Sequence, residues 1–110
     1  MAVVQPFQAY AATVHTADCE ASWYGPGLHG NTMANGQKFN KNDPKTVAHK
    51  TIPLGTSVRI TNLRNGRSIK AVVRDRGPYV GKRCIDASEA MAKQLGFKDA
   101  GKTRVKIELL

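Results

Sequence analysis

The stretch TSVRITNLRNGRSIKAVVRDRGPYV, residues 56–80, decides the fold because it contains two alternating apolar runs separated by a turn signal. Asn65-Gly66 lies between the runs and is typical of a two-residue β-hairpin. The apolar residues that share one face of the two runs are Val58, Ile60, Ile69, Ala71 and Val73. We therefore predict two paired strands with one buried face.

The second run ends in a carboxylate, Asp75, which lies between two arginines and just before a Gly-Pro pair. Strand alternation places Asp75 on the same inward face as Val73, and Arg74 and Arg76 on the other face. A partly desolvated carboxylate at this position suits general acid work. An aspartate that ends the strand by accepting backbone hydrogen bonds, or by pairing with an arginine, fits the pattern equally well.

The remaining elements are further short strands and one helix. Residues 20–24 and 104–109 are predicted strands, and residues 25–36 form a glycine-rich surface loop. Residues 87–95 carry an apolar stripe of helical spacing, which Ser88 can cap. Many short strands and one helix in 110 residues favour a mainly β fold, a compact barrel.

Composition limits the partners. The chain has 17 basic and 8 acidic residues, a net charge of +9, which favours an anionic partner. It lacks an arginine-rich run, a zinc pattern and an RNP-type aromatic motif, so no nucleic acid, metal or cofactor is predicted. No apolar run approaches about 20 residues, so no membrane span is predicted.

The N-terminal residues differ from the rest of the chain. They include Ala9-Tyr10-Ala11, which fits a small-x-small signal cleavage site, but they lack the basic region of a complete signal segment. We predict a tail over residues 1–15, resembling the end of a signal segment, and one domain over residues 16–110.

The two cysteines, Cys19 and Cys84, are 65 positions apart (84 − 19). An even count in a small domain fits one disulfide in an oxidising compartment, and a loop of this length is worth about 4 kcal/mol of stability. Two buried free thiols are the alternative. A shared metal is disfavoured because neither cysteine has a Cys or His neighbour at ligand spacing.

The candidate acid–base catalysts can be compared because acidic residues are few. Asp86 fits a helix cap or turn acceptor, and Glu89 fits the first turn of the helix. The acids in predicted tails, loops or outward positions include Asp18, Asp43, Asp99 and Glu108. Asp75 is therefore the best candidate.

The histidines are His15, His29 and His49, and none has the spacing of a helical zinc motif. His15 lies in the tail, His29 in the glycine-rich loop, where it could contact a ligand, and His49 in VAHKTIPLGT. Each alone is more typical of a surface or structural side chain than of a catalyst. No serine nucleophile motif accompanies them.

Five motifs, taken in order, resemble one known family. They are ASWYGPGLHG (21–30), ANGQKF (34–39), AHKTIPLGTSVRITNLRNGRS (48–68), RDRGPYV (74–80) and RCIDASEAMAKQLG (83–96). Together they resemble the rare lipoprotein A (RlpA) family of lytic transglycosylases over residues 21–107. The resemblance implies a six-stranded double-psi β-barrel with one short helix, a fold that this family shares with expansin- and barwin-like domains.

The resemblance also implies a reaction. A lytic transglycosylase cleaves the bond between N-acetylmuramic acid and N-acetylglucosamine without water, since the muramyl C6 hydroxyl attacks its own anomeric carbon and gives a 1,6-anhydro product. One acid–base residue can then suffice, whereas hydrolysis usually needs two carboxylates. By motif, Asp75 matches the catalytic aspartate, and His49 matches a histidine that orients or stabilises charge. The positions that resemble the substrate groove are Tyr24, Asn35, Gln37 and Arg76.

The implied partner is the peptidoglycan glycan strand, preferably stripped of stem peptides. The implied protein is a monomer of the periplasm or cell envelope that needs no cofactor. Met33, Gln37 and Arg74 depart from the family, which often has Thr, Glu and Asn there, and residues 40–47 are about one residue longer. Met33 and Gln37 motivate an alternative, a non-catalytic glycan-binding or expansin-like wall-loosening module. A third reading is a structural envelope protein that uses the barrel for protein contacts.

Overall fold

The computed structural model describes residues 16–110, so the predicted tail of residues 1–15 lies outside the described residues. The strands are β1 (Thr16–Trp23), β2 (Thr46–His49), β3 (Ser57–Asn62), β4 (Ser68–Asp75), β5 (Arg83–Ala87) and β6 (Lys102–Leu109). The helix α1 spans Glu89–Leu95, and a short 3-10 turn spans Pro26–Leu28. Within residues 16–110, no helix is long and apolar enough to cross a membrane.

The six strands close into a barrel in the order β1-β5-β2-β4-β3-β6. β1 pairs with β5 and β2 with β4 in parallel, whereas the other neighbours are antiparallel. This interleaved order confirms the prediction of a six-stranded barrel with one short helix. It also places β1, β5, β2 and β4, which are distant in sequence, side by side.

Alternate apolar side chains of the strands fill the barrel interior. The predicted inward residues that are almost fully buried are Val58, Ile60, Ala71, Val73, Val105 and Ile107. A second, smaller apolar cluster, which we call the outer cluster, consists of Tyr24, Met33, Phe39 and Ala48. Because Val47 belongs to the main core and Ala48 to the outer cluster, the two clusters lie on opposite faces of β2.

The predicted β3–β4 hairpin is present, but its turn is longer than two residues. β3 ends at Asn62 and β4 begins at Ser68, so residues 63–67 connect them. The buried Asn62 side chain explains the difference. Its Oδ1 accepts from the Arg64 N–H (3.0 Å), and its Nδ2 donates to the Leu95 carbonyl (2.8 Å). The wider turn therefore docks on the C-terminal end of α1.

The helix begins two residues later than predicted, and β1 begins four residues earlier. Ser88 caps α1, because its hydroxyl accepts from the Met91 N–H (3.1 Å), while Ala87 still belongs to β5. Gly96 ends the helix at φ 82°, a conformation that favours glycine. β1 extends back to Thr16, the first described residue, because it pairs with β6 from Thr16 to Ser22.

Candidate active site

Asp75 lies at the end of β4, and its side chain points away from the barrel interior. In the parallel pair, Val47 of β2 lies opposite Val73. The next residue, Ala48, lies opposite Asp75, so Arg74 is an extra residue in β4. A bulge of this kind changes the face on which the following side chain lies. The predicted shared face of Asp75 and Val73 is therefore wrong, since Val73 packs in the main core and Asp75 beside the outer cluster.

Among the described residues, 16–110, three donors form hydrogen bonds to the Asp75 carboxylate. Oδ1 accepts from the backbone N–H groups of Ala34 (2.8 Å) and Arg76 (2.9 Å). Oδ2 accepts from the hydroxyl of Tyr24 (2.6 Å). Because the donors come from three segments of the chain, the carboxylate is fixed in position. Oδ2, with one donor, keeps a lone pair for a further partner.

The loop that donates to Asp75 ends in a tight hairpin tip, residues 33–37. Gly36 closes the tip at φ 89°, a backbone conformation that glycine adopts without strain. The Asn35 N–H donates to the Arg74 carbonyl (3.2 Å), so the tip also bonds to β4 directly beside Asp75. The loop tip is thus a structural support for the carboxylate.

Asn35 and Gln37, predicted to line the substrate groove, are both exposed and pair with each other. The Asn35 Nδ2 donates to the Gln37 Oε1 (2.9 Å), and the Asn35 Oδ1 accepts from the Gln37 N–H (2.9 Å). Neither lines the cleft that contains Asp75. They stabilise the loop tip, and their contact with substrate stays a prediction.

Tyr24, another predicted groove residue, is a buried partner of Asp75. Its side chain is 8% exposed, and its ring stacks on Phe39 with 4.1 Å between ring centres. Burial, followed by the hydrogen bond and charge of Asp75 and the charge of Asp86, raises the pKa of Tyr24 above its ordinary value. Tyr24 therefore remains a hydroxyl donor to Asp75 at neutral pH.

Arg76 connects the end of β4 to the turn after β2. Its backbone N–H donates to Asp75, while its Nη1 donates to the carbonyl oxygens of His49 (3.1 Å) and Ile52 (2.7 Å). Arg76 also lines the cleft. The structure therefore places Arg76 and Asp75 at the same cleft, as the motif predicts. One guanidinium nitrogen of Arg76, Nη1, is already bonded to the backbone of the turn after β2.

His49, the second predicted catalytic residue, lies at the end of β2, one residue beyond the partner of Asp75. Its Nδ1 accepts from the backbone N–H groups of Thr51 and Ile52, both at 3.1 Å. A ring that accepts at Nδ1 carries its proton on Nε2. The half-buried side chain is not among those lining the cleft, and its catalytic role stays a prediction.

Arg74 does not pair with Asp75. Its Nη1 donates to the Asp43 Oδ2 (3.0 Å) and to the Thr46 Oγ1 (2.8 Å). The predicted alternative of a salt bridge from Arg74 to Asp75 is therefore wrong, whereas the backbone hydrogen bonds of that same alternative are present at Asp75.

Asp75 faces a cleft of about 270 Å3. The side chains that line it include Tyr24, Leu28, Met33, Phe39, Asp75, Arg76, Tyr79 and Asp86. Tyr79, at 72% exposed, forms an apolar part of the rim, and the sequence analysis missed it although it directly follows the Gly-Pro pair of the motif. Asp86 was assigned to a helix cap or turn, but Ser88 is the cap and Asp86 lines the cleft.

A larger pocket of about 550 Å3 lies between the β3–β4 turn and β6, and it contains none of the predicted site residues. Its charged lining residues are Glu20, Arg64, Lys102 and Arg104. In the described part of the chain, no group of three or more His, Cys, Asp or Glu side chains is placed to hold a metal ion. Because Tyr24, Asp75 and Arg76 meet at the smaller cleft, that cleft is the candidate active site.

Cys19 and Cys84 form a disulfide with 5.9 Å between their Cα atoms, which confirms the predicted pairing over two free thiols. The bond joins β1 to β5, a parallel pair that includes Asp86. A chain with this bond is suited to an oxidising compartment.

The fold is a closed six-stranded barrel, and Asp75 is held by hydrogen bonds at its cleft. Comparison of the sequence with known families identifies the class of protein that has this barrel. The sequence profile of the family described as lytic transglycolase matches residues 16–107. The chain therefore belongs to this family, and the predicted double-psi β-barrel is its fold.

Within this family, the chain is similar in sequence to proteins named RlpA. The endolytic peptidoglycan transglycosylase RlpA of Campylobacter jejuni is 42% identical over 94% of this chain and 38% of that protein. The protein of the same name from Pseudomonas aeruginosa strain PAO1 is 50% identical over 80% of this chain and 25% of that protein. These matches confirm the resemblance read from the five motifs. The chain spans between about a quarter and two fifths of the length of these relatives.

Solved structures show the same fold. The Streptomyces papain inhibitor superposes with a TM-score of 0.69, 24% identity, and coverage of 87% of this chain and 94% of that chain. The apo expansin of Clavibacter michiganensis superposes with a TM-score of 0.66, 22% identity, and coverage of 87% of this chain and 50% of that chain. At these identities the likeness concerns the fold alone.

Proposed function

We propose that this domain is a lytic transglycosylase that cleaves the MurNAc–GlcNAc bonds of peptidoglycan glycan strands to 1,6-anhydro products. The observation that carries the proposal is the Asp75 carboxylate, which lines the cleft and is held by three hydrogen-bond donors. Family membership and the activity for which the RlpA relatives are named support the same reaction.

Asp75 moves the proton through Oδ2, because Oδ1 already accepts two backbone N–H groups. Protonated Asp75 donates its proton to the glycosidic oxygen as the bond from that oxygen to the anomeric carbon breaks. The C6 hydroxyl of the muramyl residue then bonds to the anomeric carbon, and its proton passes to Asp75. The acid is restored and no water is consumed, so one proton-transferring residue completes the cycle.

His49 and Arg76 position this acid. The His49 ring closes the turn after β2 through two backbone N–H groups, and the Arg76 guanidinium holds the same turn. Since the Arg76 N–H also donates to Asp75, a displacement of the turn would move the carboxylate. Asn35 and Gln37 stabilise the loop tip that donates to Asp75, and their exposed side chains bind the glycan beyond the cleft.

Substrate binding uses the rim of the cleft and the charge of the domain. The exposed ring of Tyr79 offers an apolar face to a sugar. The net charge of +9 favours glycan strands whose muramyl carboxylates are exposed, hence strands stripped of stem peptides. The disulfide supports a location in the periplasm or cell envelope, where the domain acts as a monomer.

The test is the release of soluble glycan fragments from amidase-treated sacculi by the purified protein. Wild type should release fragments, and Asp75→Asn should not. Asp99→Asn is the matched control, because Asp99 is an exposed acid outside the cleft, and it should equal wild type. An inert wild type, or an active Asp75→Asn variant, would contradict the proposal.

The second candidate function is glycan binding without cleavage. It is favoured by Met33 and Gln37, since Met33 is buried in the outer cluster and Gln37 is at the exposed loop tip where the family often has a glutamate. Binding to sacculi that survives Asp75→Asn, combined with no fragment release by wild type, would support this function instead.

A further inference from the structure

Asp75 and Asp86 lie in one row that crosses four strands of the barrel. Ala48 of β2 pairs with Asp75 on one side and with Asp86 on the other. Ser22 of β1 extends the row, because it pairs with Asp86. Directly paired residues point to the same side of a sheet, so the two carboxylates flank the methyl group of Ala48. Two strand spacings separate their Cα atoms by about 10 Å.

The residues on either side of Asp86 show that the row of paired residues lies on the outer face of the barrel. Ile85 and Ala87 pack in the main core, so the residue between them points outward. Asp86 accordingly lines the same cleft as Asp75. Its charge also contributes to the raised pKa of Tyr24, the phenol that donates to Asp75.

A hydrogen-bonded pair of side chains holds Asp86 in place. The Arg83 Nη1 donates to the Ser22 Oγ (3.0 Å). The Ser22 hydroxyl, which accepts from Arg83, directs its single proton to the Asp86 Oδ1. Within residues 16–110 this is the one hydrogen bond that the Asp86 carboxylate accepts. One oxygen is therefore fixed by the barrel wall, and the second is left for a molecule in the cleft.

We propose that Asp86 is a second catalytic carboxylate, which stabilises the positive charge that develops on the anomeric carbon above Ala48 while Asp75 alone transfers the proton. This role rests on the proposed transglycosylase function. The oxocarbenium-like transition state carries a positive charge that the bound substrate lacks. A fixed negative charge beside it therefore lowers the barrier rather than tightening substrate binding. Asp86 neither gains nor loses a proton, so the bond changes are those already given for Asp75.

Asp86→Asn separates the charge of this residue from its structural contact. The amide keeps an oxygen that can accept from Ser22, but the negative charge is lost. We expect kcat for anhydro-product formation to fall about 100-fold, with KM changed by less than about threefold. Asp99→Asn, which removes an exposed charge outside the cleft, should keep the wild-type kcat.

The outcomes distinguish the two proposals. If wild type forms anhydro product and Asp86→Asn keeps the same kcat, Asp86 is only a structural acceptor and its catalytic role is overturned, while the proposed function stands. If wild type forms no anhydro product, both proposals are overturned.

A second pair of variants covers the case in which Asp86→Asn does not fold, which its melting temperature would reveal. Asp86→Glu and Asp86→Gln have side chains of equal size that differ in charge. We expect the glutamate variant to have a kcat at least about tenfold above that of the glutamine variant. Equal rates in this pair would overturn the proposal.

Discussion

Asp75 and Asp86 lie in the same row of the barrel, but the chain holds them in different ways. Asp75 accepts two backbone N–H groups and a phenol, which come from the loop tip, the residue after β4 and the residue after β1. Asp86 accepts one hydroxyl, from Ser22 on the adjacent strand. The position of Asp75 thus depends on loops, and that of Asp86 on the barrel wall. Two carboxylates in one site take different roles when their surroundings differ.

The largest expected effect separates the roles of the two carboxylates. Asp75→Asn removes the group that transfers the proton, so kcat should fall by about 10³-fold, roughly ten times further than for Asp86→Asn. The asparagine oxygen can still accept from the Ala34 N–H, so the melting temperature should change little. Initial rates on denuded glycan strands measure the difference. Equal losses in the two variants would contradict separate roles.

Tyr24→Phe tests whether the donors around Asp75 matter to its function. The phenylalanine ring can still stack on Phe39, but Oδ2 of Asp75 loses its hydroxyl donor. We expect kcat to fall at least about tenfold, since a hydrogen bond to a charged group is worth roughly 1.5–3 kcal/mol and about 1.4 kcal/mol corresponds to tenfold. Tyr79→Phe is the matched control, because it removes an exposed hydroxyl at the rim and should leave kcat unchanged. Equal kcat values for the two variants would show that the donor is dispensable.

The pH dependence of stability tests the same contact without an activity assay. The pKa of Tyr24 is raised in the folded protein, so the fold holds the phenolic proton more tightly than the unfolded chain does. This contribution is fully present below the unfolded pKa of about 10 and is lost as the pH rises through the folded pKa. Above about pH 10, wild type should lose stability faster than Tyr24→Phe by up to about 1.4 kcal/mol per pH unit. Urea unfolding of both proteins across this pH range measures their free energies of unfolding. Free energies that fall in parallel with pH would refute the prediction.

Tyr79→Ala has the smallest expected effect, because Tyr79 lies at the rim of the cleft. Within residues 16–110, its side chain forms no hydrogen bond to Asp75 or Asp86. Loss of an exposed aromatic contact should raise KM roughly threefold and leave kcat unchanged. Steady-state kinetics separate the two constants. A fall in kcat as large as that of Tyr24→Phe would place Tyr79 in the chemistry instead.

Short-range patterns in the sequence predicted the inward faces of individual strands and the position of the helix. Alternation predicted the inward faces of β3 and β6, and a capping serine followed by an apolar stripe predicted α1. The β3–β4 turn was misjudged because Asn62, a strand residue, bonds the end of a helix more than 30 residues away. A turn dipeptide alone carries no information about such a contact.

The sequence brought together part of the candidate site, whose catalytic and binding roles stay predictions. Motif resemblance and elimination both led to Asp75, but the bulge at Arg74 reversed its face, and a change of register is set by the partner strand rather than by the strand itself. Asp86 was missed for a related reason. Its place in the cleft depends on the pairing of β5 with both β1 and β2, which are distant in sequence. Asn35 and Gln37 match a motif, yet their side chains bond to each other rather than lining the cleft.

The mass of the products released from denuded glycan strands tests the central claim most directly. Transfer to the muramyl C6 hydroxyl without water predicts fragments that end in 1,6-anhydro-muramic acid, one water lighter than hydrolysis products, and predicts that Asp75→Asn yields none. Fragments that carry an ordinary reducing end, one water heavier, would contradict the account.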